Sequence, residues 1–130
     1  MKQAKLLGVI VTDDLRWDEN TSYIMKNAYA RMELLHKIAE FGASIEEKKN
    51  IYYLYIRSVL EQACVVWNSG LSMENIEDLE RVQISSVKII LGNKYEDYIS
   101  SHESLSIDTL ADRRHTLCVK FALKTLKHEK

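Results

Sequence analysis

The stretch from Val59 to Gly92 reads VLEQACVVWNSGLSMENIEDLERVQISSVKIILG, and it decides the fold of this chain. Apolar residues recur at helical spacing on both sides of Asn68-Ser69-Gly70, a run of residues that ends helices and forms turns. Trp67 lies in phase with Leu60 and Ala63, which favours a core anchor over a platform for stacking a nucleobase. The stretch therefore predicts two helices that are joined by a short turn and packed together.

Further helices are predicted on both sides of this stretch. The first runs from about Asn20 to Phe41, and the second begins at Ser44-Ile45-Glu46-Glu47, the pattern of a capping box. Ser72 is expected to cap the third helix, and Ser106 a last helix from about Ile107 to Lys127. The chain has no proline and only four glycines, which also favours helices. The residues expected to anchor the core are Trp67, Leu79, Val82 and Phe121.

One short strand is predicted near the N-terminus. Leu6 to Val11 is an apolar, β-branched run that ends at the turn-forming pair Asp13-Asp14. A lone strand leaves its backbone groups unpaired, and the rest of the chain offers no obvious partner strand. The expected fold is mainly α: a short N-terminal strand followed by an antiparallel bundle of three to four long helices. Residues 1–17 are expected to form a strand and turn, and residues 18–130 a helical domain.

The composition argues against several classes of protein. A formal net charge of -1 and a pI near 6.4 argue against a free-standing nucleic-acid-binding protein, although a local basic face is compatible with them. No apolar run reaches the ~20 residues of a membrane helix, and the N-terminus does not resemble a signal peptide. We therefore expect no membrane association and an intracellular location, cytoplasmic or nuclear. Cys64 and Cys118 are interpreted as reduced core thiols, with a disulfide between them as the less favoured alternative.

No catalytic, metal-binding or cofactor-binding residue is predicted. Asp13-Asp14 could suggest the paired carboxylates that hold two metal ions in polymerases, but no second apolar strand follows them, so a turn is the better interpretation. Tyr95-Glu96-Asp97 lacks a flanking strand and is interpreted as a solvated segment. His115 and Cys118 lie one helical turn apart, but two ligands do not complete a zinc site.

The last predicted helix is basic. Arg113, Arg114, Lys120 and Lys124 are the candidate nucleic-acid-binding residues, because cations on one helix can contact phosphates. The alternative is a solvated helix face whose C-terminal cations complement the helix dipole.

Four blocks of the chain resemble the region that follows the palm in non-LTR retrotransposon reverse transcriptases. The first, Lys5 to Trp17, looks like the Leu-Gly-Val…Trp signature of that family, and Leu60 to Trp67 looks like its Leu-Glu-Tyr-Ala…Trp block. The other two blocks are Ile76 to Gly92 and Leu110 to Ala122. The four blocks occur in order over nearly the whole chain. Departures occur at Gln62, where the family commonly has tyrosine, and at Ile84-Ser85, where it usually has basic residues.

The resemblance implies a thumb-like helical region from the transposable element's RNA-directed DNA polymerase, which would hold an RNA/DNA template–primer duplex and contact the parent palm domain. It implies that Asp13 belongs to a turn near the palm–thumb junction and is not a metal ligand. The palm and its catalytic carboxylates are absent from the sequence, which predicts a non-catalytic fragment: a truncated or decayed copy, or a partial gene model. A helical protein–protein interaction module without a nucleic-acid role remains the alternative.

Overall fold

The computed structural model describes residues 2–6, 8–14 and 16–128, and it has the expected mainly α fold. Two strands precede seven α-helices in these ranges. The strands and first four helices are β1 (Gln3–Leu6), β2 (Val9–Thr12), α1 (Asp18–Glu40), α2 (Ile45–Ile51), α3 (Ser58–Leu60) and α4 (Cys64–Trp67). The remaining helices are α5 (Met73–Leu91), α6 (Tyr98–Leu105) and α7 (Leu110–His128). A π-helix, Tyr52–Arg57, joins α2 to α3.

The N-terminal segment is a hairpin, so the expectation of one strand without a partner was wrong. β1 pairs antiparallel with β2, with Leu6 opposite Val9 and Gln3 opposite Thr12. Gly8 lies between the strands with a φ of 83°, a conformation that glycine adopts at little cost. The single run of the prediction is thus divided at its glycine. Its second half, β2, packs against α1, and Val9 is buried in the same core as the helices.

The second predicted helix begins as expected but does not continue unbroken to Trp67. Ser44 and Glu47 form the predicted capping box at the start of α2. The chain then widens into the π-helix and breaks between α3 and α4 at Ala63, which has a φ of 54°. The break changes the direction of the side chains that follow it. Val66 is 57% exposed, whereas Trp67, the next residue, is buried and its Nε1 donates to the Gln62 carbonyl oxygen.

Ser106 lies between α6 and α7, and α7 is the last helix that the sequence predicted. The Asp97 side chain caps α6 by accepting from the Ser100 N–H. Ser106 ends α6 in the left-handed conformation, with a φ of 55°, and does not cap the next helix as predicted. α7 then begins at Leu110, three residues after the predicted start.

The core lies between α1, α5 and the broken segment from α2 to α4. α1 packs against α5, while α7 packs against α4 and α5. Trp67, Leu79 and Val82 are buried as predicted. Phe121 is 55% exposed, so its assignment to the core was wrong. It continues the inward stripe of α7, but α7 extends past the rest of the described protein, and every residue from 119 to 128 is exposed.

Candidate nucleic-acid interface on the last helix

The first part of α7, residues 110–118, is called its root here. An ion pair of Arg113 holds the root in place. The Arg113 Nε lies 3.0 Å from Glu61 Oε2, and the other carboxylate oxygen of Glu61 lies 3.8 Å from the Arg57 Nε. The Glu61 side chain is only 11% exposed, against 32% for Arg113. Arg57 also lies over the Tyr53 ring, 3.9 Å from its centre. Arg113 is therefore engaged within the protein and offers only part of its guanidinium to a phosphate.

Arg114 is buried, although the sequence grouped it with Arg113 among the candidate nucleic-acid-binding residues. Its side chain is 1% exposed, and its Nε donates a 2.8 Å hydrogen bond to the Asn68 Oδ1. Burial lowers the pKa of Arg114, and the nearby Glu80 carboxylate partly opposes that shift. Arg114 faces the core because it follows Leu110 by one helical turn, and Leu110 is buried too. A nucleic acid on the outside of α7 cannot reach Arg114, so we exclude Arg114 from the candidate interface.

Lys120 and Lys124 are both exposed on the projecting half of α7. Lys127, also exposed, lies one further turn along, so the three ammonium groups follow the i, i+4, i+7 spacing of one helix face. Of the four candidate residues, Lys120 and Lys124 are therefore exposed to a ligand, whereas Arg113 and Arg114 face the protein. The basic surface is defined here as Lys120, Lys124 and Lys127.

An apolar stripe lies beside the basic surface. Val119, Leu123 and Leu126 each precede one of the three lysines by one residue, so the two stripes are rotated by about 100° around the helix. These apolar side chains are 43%, 56% and 58% exposed. Apolar groups this exposed on one helix form an unusual surface that can take part in binding.

A partly buried polar network positions α7 against α5 and α6. The Gln83 amide donates both to the Tyr98 hydroxyl, at 2.8 Å, and to the Asp108 carbonyl oxygen, at 2.9 Å. The Tyr98 hydroxyl in turn donates to Glu80 Oε1, which also accepts from the Leu110 N–H at the first residue of α7. Burial, and then the Glu80 carboxylate, raise the pKa of Tyr98. This network fixes where α7 starts.

Sequence reasoning missed this network, although a signal was present. Gln83 and Glu80 lie next to Leu79 and Val82 on α5, within the stripe predicted to be buried. A polar residue in phase with a buried stripe needs a hydrogen-bond partner, and that requirement could have identified Gln83.

The acidic pair at the end of β2 forms a turn. Asp14 Oδ1 accepts hydrogen bonds from the Thr12 hydroxyl and the Arg16 N–H, while Asp13 donates its backbone N–H to the Lys2 carbonyl oxygen. The bond from Thr12, and next the bond from Arg16, lower the pKa of Asp14. Both carboxylates are exposed. Within the described ranges, no group of three or more His, Cys, Asp or Glu side chains is arranged to hold a metal ion.

Comparison with known proteins adds no relative: no family model, no curated protein and no solved structure matches this chain. Among the described residues, no helix has both the length and the apolar character needed to cross a lipid bilayer.

Proposed function

We propose that this chain is a thumb-like, non-catalytic segment of a non-LTR retrotransposon reverse transcriptase, and that α7 contacts the backbone of an RNA/DNA template–primer duplex. The observation that carries the proposal is the basic surface on the projecting half of α7. Lysines repeated along one exposed helix face suit a row of phosphates, because they bind by charge without reading base sequence.

Two features of the chain support this assignment. The four sequence blocks that resemble the family include the kinked segment before Trp67 and the root of α7, which the structure brings together through Glu61 and Arg113. The root is held by buried contacts, whereas residues 119 to 128 are free of the body and accessible from solvent. The basic surface is thus exposed on a helix whose other end is held in place, which suits contact with an extended ligand such as a nucleic-acid duplex.

The test is a titration of an RNA/DNA hybrid duplex by fluorescence anisotropy at several salt concentrations. The variant Lys120→Gln/Lys124→Gln should bind more weakly than the unaltered chain at low salt. Loss of two phosphate contacts should also reduce the slope of log K against log salt by about 2. The matched control is Lys26→Gln/Lys37→Gln, which removes two exposed lysines from α1 and changes the net charge equally. Equal losses in both double variants would show that only net charge matters, and the proposal would fail.

A second candidate function is a helical protein–protein interaction module. The exposed stripe Val119, Leu123 and Leu126 favours it, because apolar side chains beside lysines suit an amphipathic partner helix with acidic flanks. The variant Leu123→Gln/Leu126→Gln separates the two functions. It should leave duplex affinity nearly unchanged if α7 grips phosphates. If the chain is such a module, the unaltered protein should bind an acidic amphipathic peptide, this variant should not, and neither should bind duplex.

A further inference from the structure

Two thiols from distant parts of the chain meet where α4 packs against α7. Cys64 is the first residue of α4 and is 3% exposed, while Cys118 lies on α7 and is partly exposed. Cys118 lies one helical turn after Arg114, and Cys64 lies about one turn before Asn68, the residue to which Arg114 donates its hydrogen bond. The Cys118 thiol is also among the groups that raise the pKa of Cys64. Both cysteines are free thiols in the structure, as the sequence suggested.

The elements that carry the two thiols are fixed independently of the cysteines. The Arg113–Glu61 pair and the Arg114–Asn68 hydrogen bond join α7 to residues on either side of Cys64. Ala63, whose left-handed backbone directly precedes Cys64, sets the direction in which α4 leaves the break. The proximity of the two cysteines is therefore part of the folded arrangement.

We propose that Cys64 and Cys118 form a reversible intramolecular disulfide when the folded protein meets a small oxidised disulfide, such as oxidised glutathione. Cys118, the more accessible thiol, attacks one sulfur of that molecule as its thiolate, and one small thiol leaves. The Cys64 sulfur then attacks the Cys118 sulfur and displaces the second small thiol. Two protein thiols are oxidised and one small disulfide is reduced to two thiols, which take up the two protons.

The second step should be slow at neutral pH and faster in alkali. Burial, followed by the nearby Cys118 and Glu61, raises the pKa of Cys64 to about 11. The thiolate fraction of Cys64 therefore grows about tenfold for each unit of pH below 11. Reactions are run at several pH values between 7 and 9 and quenched at intervals. The mixed disulfide at Cys118 should decay faster at each higher pH.

The consequence is a covalent tie between the kinked segment and the root of α7. It closes a loop of roughly 55 residues, which restricts the unfolded chain and so stabilises the fold. This inference does not depend on what α7 binds.

The decisive experiment compares disulfide formation in the folded and unfolded chain. The full chain is equilibrated in glutathione buffers of known redox ratio, with and without 8 M urea, then alkylated and analysed by mass spectrometry of unreduced peptides. In the folded protein, the equilibrium constant for the Cys64–Cys118 link should be at least about tenfold larger than in urea, because folding and a compatible crosslink favour each other. The midpoint of thermal unfolding should rise by at least about 5 °C on oxidation.

The variant Cys118→Ser is the control, since its site is partly exposed and a similar side chain fits there. Its fold is checked by circular dichroism, and it should lose both the link and the rise in thermal midpoint. Three results would overturn the proposal: an equilibrium constant no larger in the folded protein, crosslinks only between chains, or a lowered thermal midpoint on oxidation.

Discussion

The Tyr52 hydroxyl donates a 2.6 Å hydrogen bond to Gln83 Oε1, and both side chains are completely buried. This bond joins the first residue of the π-helix to the middle of α5. The Gln83 amide nitrogen extends the connection to Tyr98 and to the carbonyl oxygen of Asp108. A buried amide whose oxygen and nitrogen are both bonded specifies one arrangement of the elements around it, because any other arrangement leaves polar atoms without partners.

Removal of the Tyr52 hydroxyl should therefore destabilise the protein. Tyr52→Phe leaves Gln83 Oε1 buried without its donor, and we expect the free energy of unfolding to fall by about 1–3 kcal/mol. Urea unfolding followed by circular dichroism measures the change. Tyr55→Phe is the control: Tyr55 is 39% exposed, so the loss of its hydroxyl should change the free energy of unfolding by less than about 0.5 kcal/mol. Equal effects of the two substitutions would contradict the importance of the buried bond.

Tyr52, which is buried, and Tyr98, which is partly buried, should make the protein sensitive to alkali. Burial raises the pKa of Tyr52 well above its usual value of 10.0, and it raises that of Tyr98 in the same direction. A raised pKa in the folded state stabilises the protein fully below pH 10, and this contribution is lost as the pH rises toward the folded-state pKa. We expect the free energy of unfolding to fall above pH 10. Tyr52→Phe/Tyr98→Phe should make that fall shallower, and an unchanged slope would exclude these two groups as its cause.

Ala63 occupies a backbone conformation that costs free energy. Its φ of 54° lies in the left-handed region, where a β-carbon crowds the following carbonyl oxygen. Ala63→Gly removes that crowding but adds freedom to the unfolded chain, and we expect a net gain of about 0.5–1 kcal/mol in the free energy of unfolding. Ala30→Gly, at an exposed position of α1, should instead lose about 1 kcal/mol. Chemical denaturation measures both variants. If Ala63→Gly also lowers the free energy of unfolding, the result contradicts a left-handed backbone at Ala63.

The adjacent arginines at the root of α7 should respond differently to truncation. Arg114→Ala empties a buried site and leaves Asn68 Oδ1 without its donor, at an expected loss of about 2–4 kcal/mol in the free energy of unfolding. Arg113→Ala removes a partly solvated arginine from Glu61, which keeps Arg57 3.8 Å away, so the loss should be smaller, about 1–2 kcal/mol. Thermal unfolding of both variants at one pH and salt concentration provides the comparison. A larger loss for Arg113→Ala would contradict the burial of its neighbour.

Local sequence signals predicted where several helices begin and end. The capping box at Ser44 and the cap at Ser72 formed with partners three residues away, and α4 ends at Trp67, directly before the predicted turn Asn68-Ser69-Gly70. Lys120 and Lys124 also lie on the predicted last helix and are exposed there. Each of these outcomes depends on atoms within about one helical turn, so neighbouring residues suffice to predict it.

What the sequence by itself determined is therefore the mainly α character, the apolar stripes and the caps of α2 and α5. Only the tertiary structure decided that Gln3–Leu6 pairs with β2, that the segment before Trp67 breaks at Ala63, and that Phe121 is exposed while Arg114 is buried. The physical reason is that burial and strand pairing depend on elements remote in the chain. Periodicity places Leu110, Arg114 and Phe121 on one side of α7, but only the extent of the neighbouring helices determines how much of that side is covered.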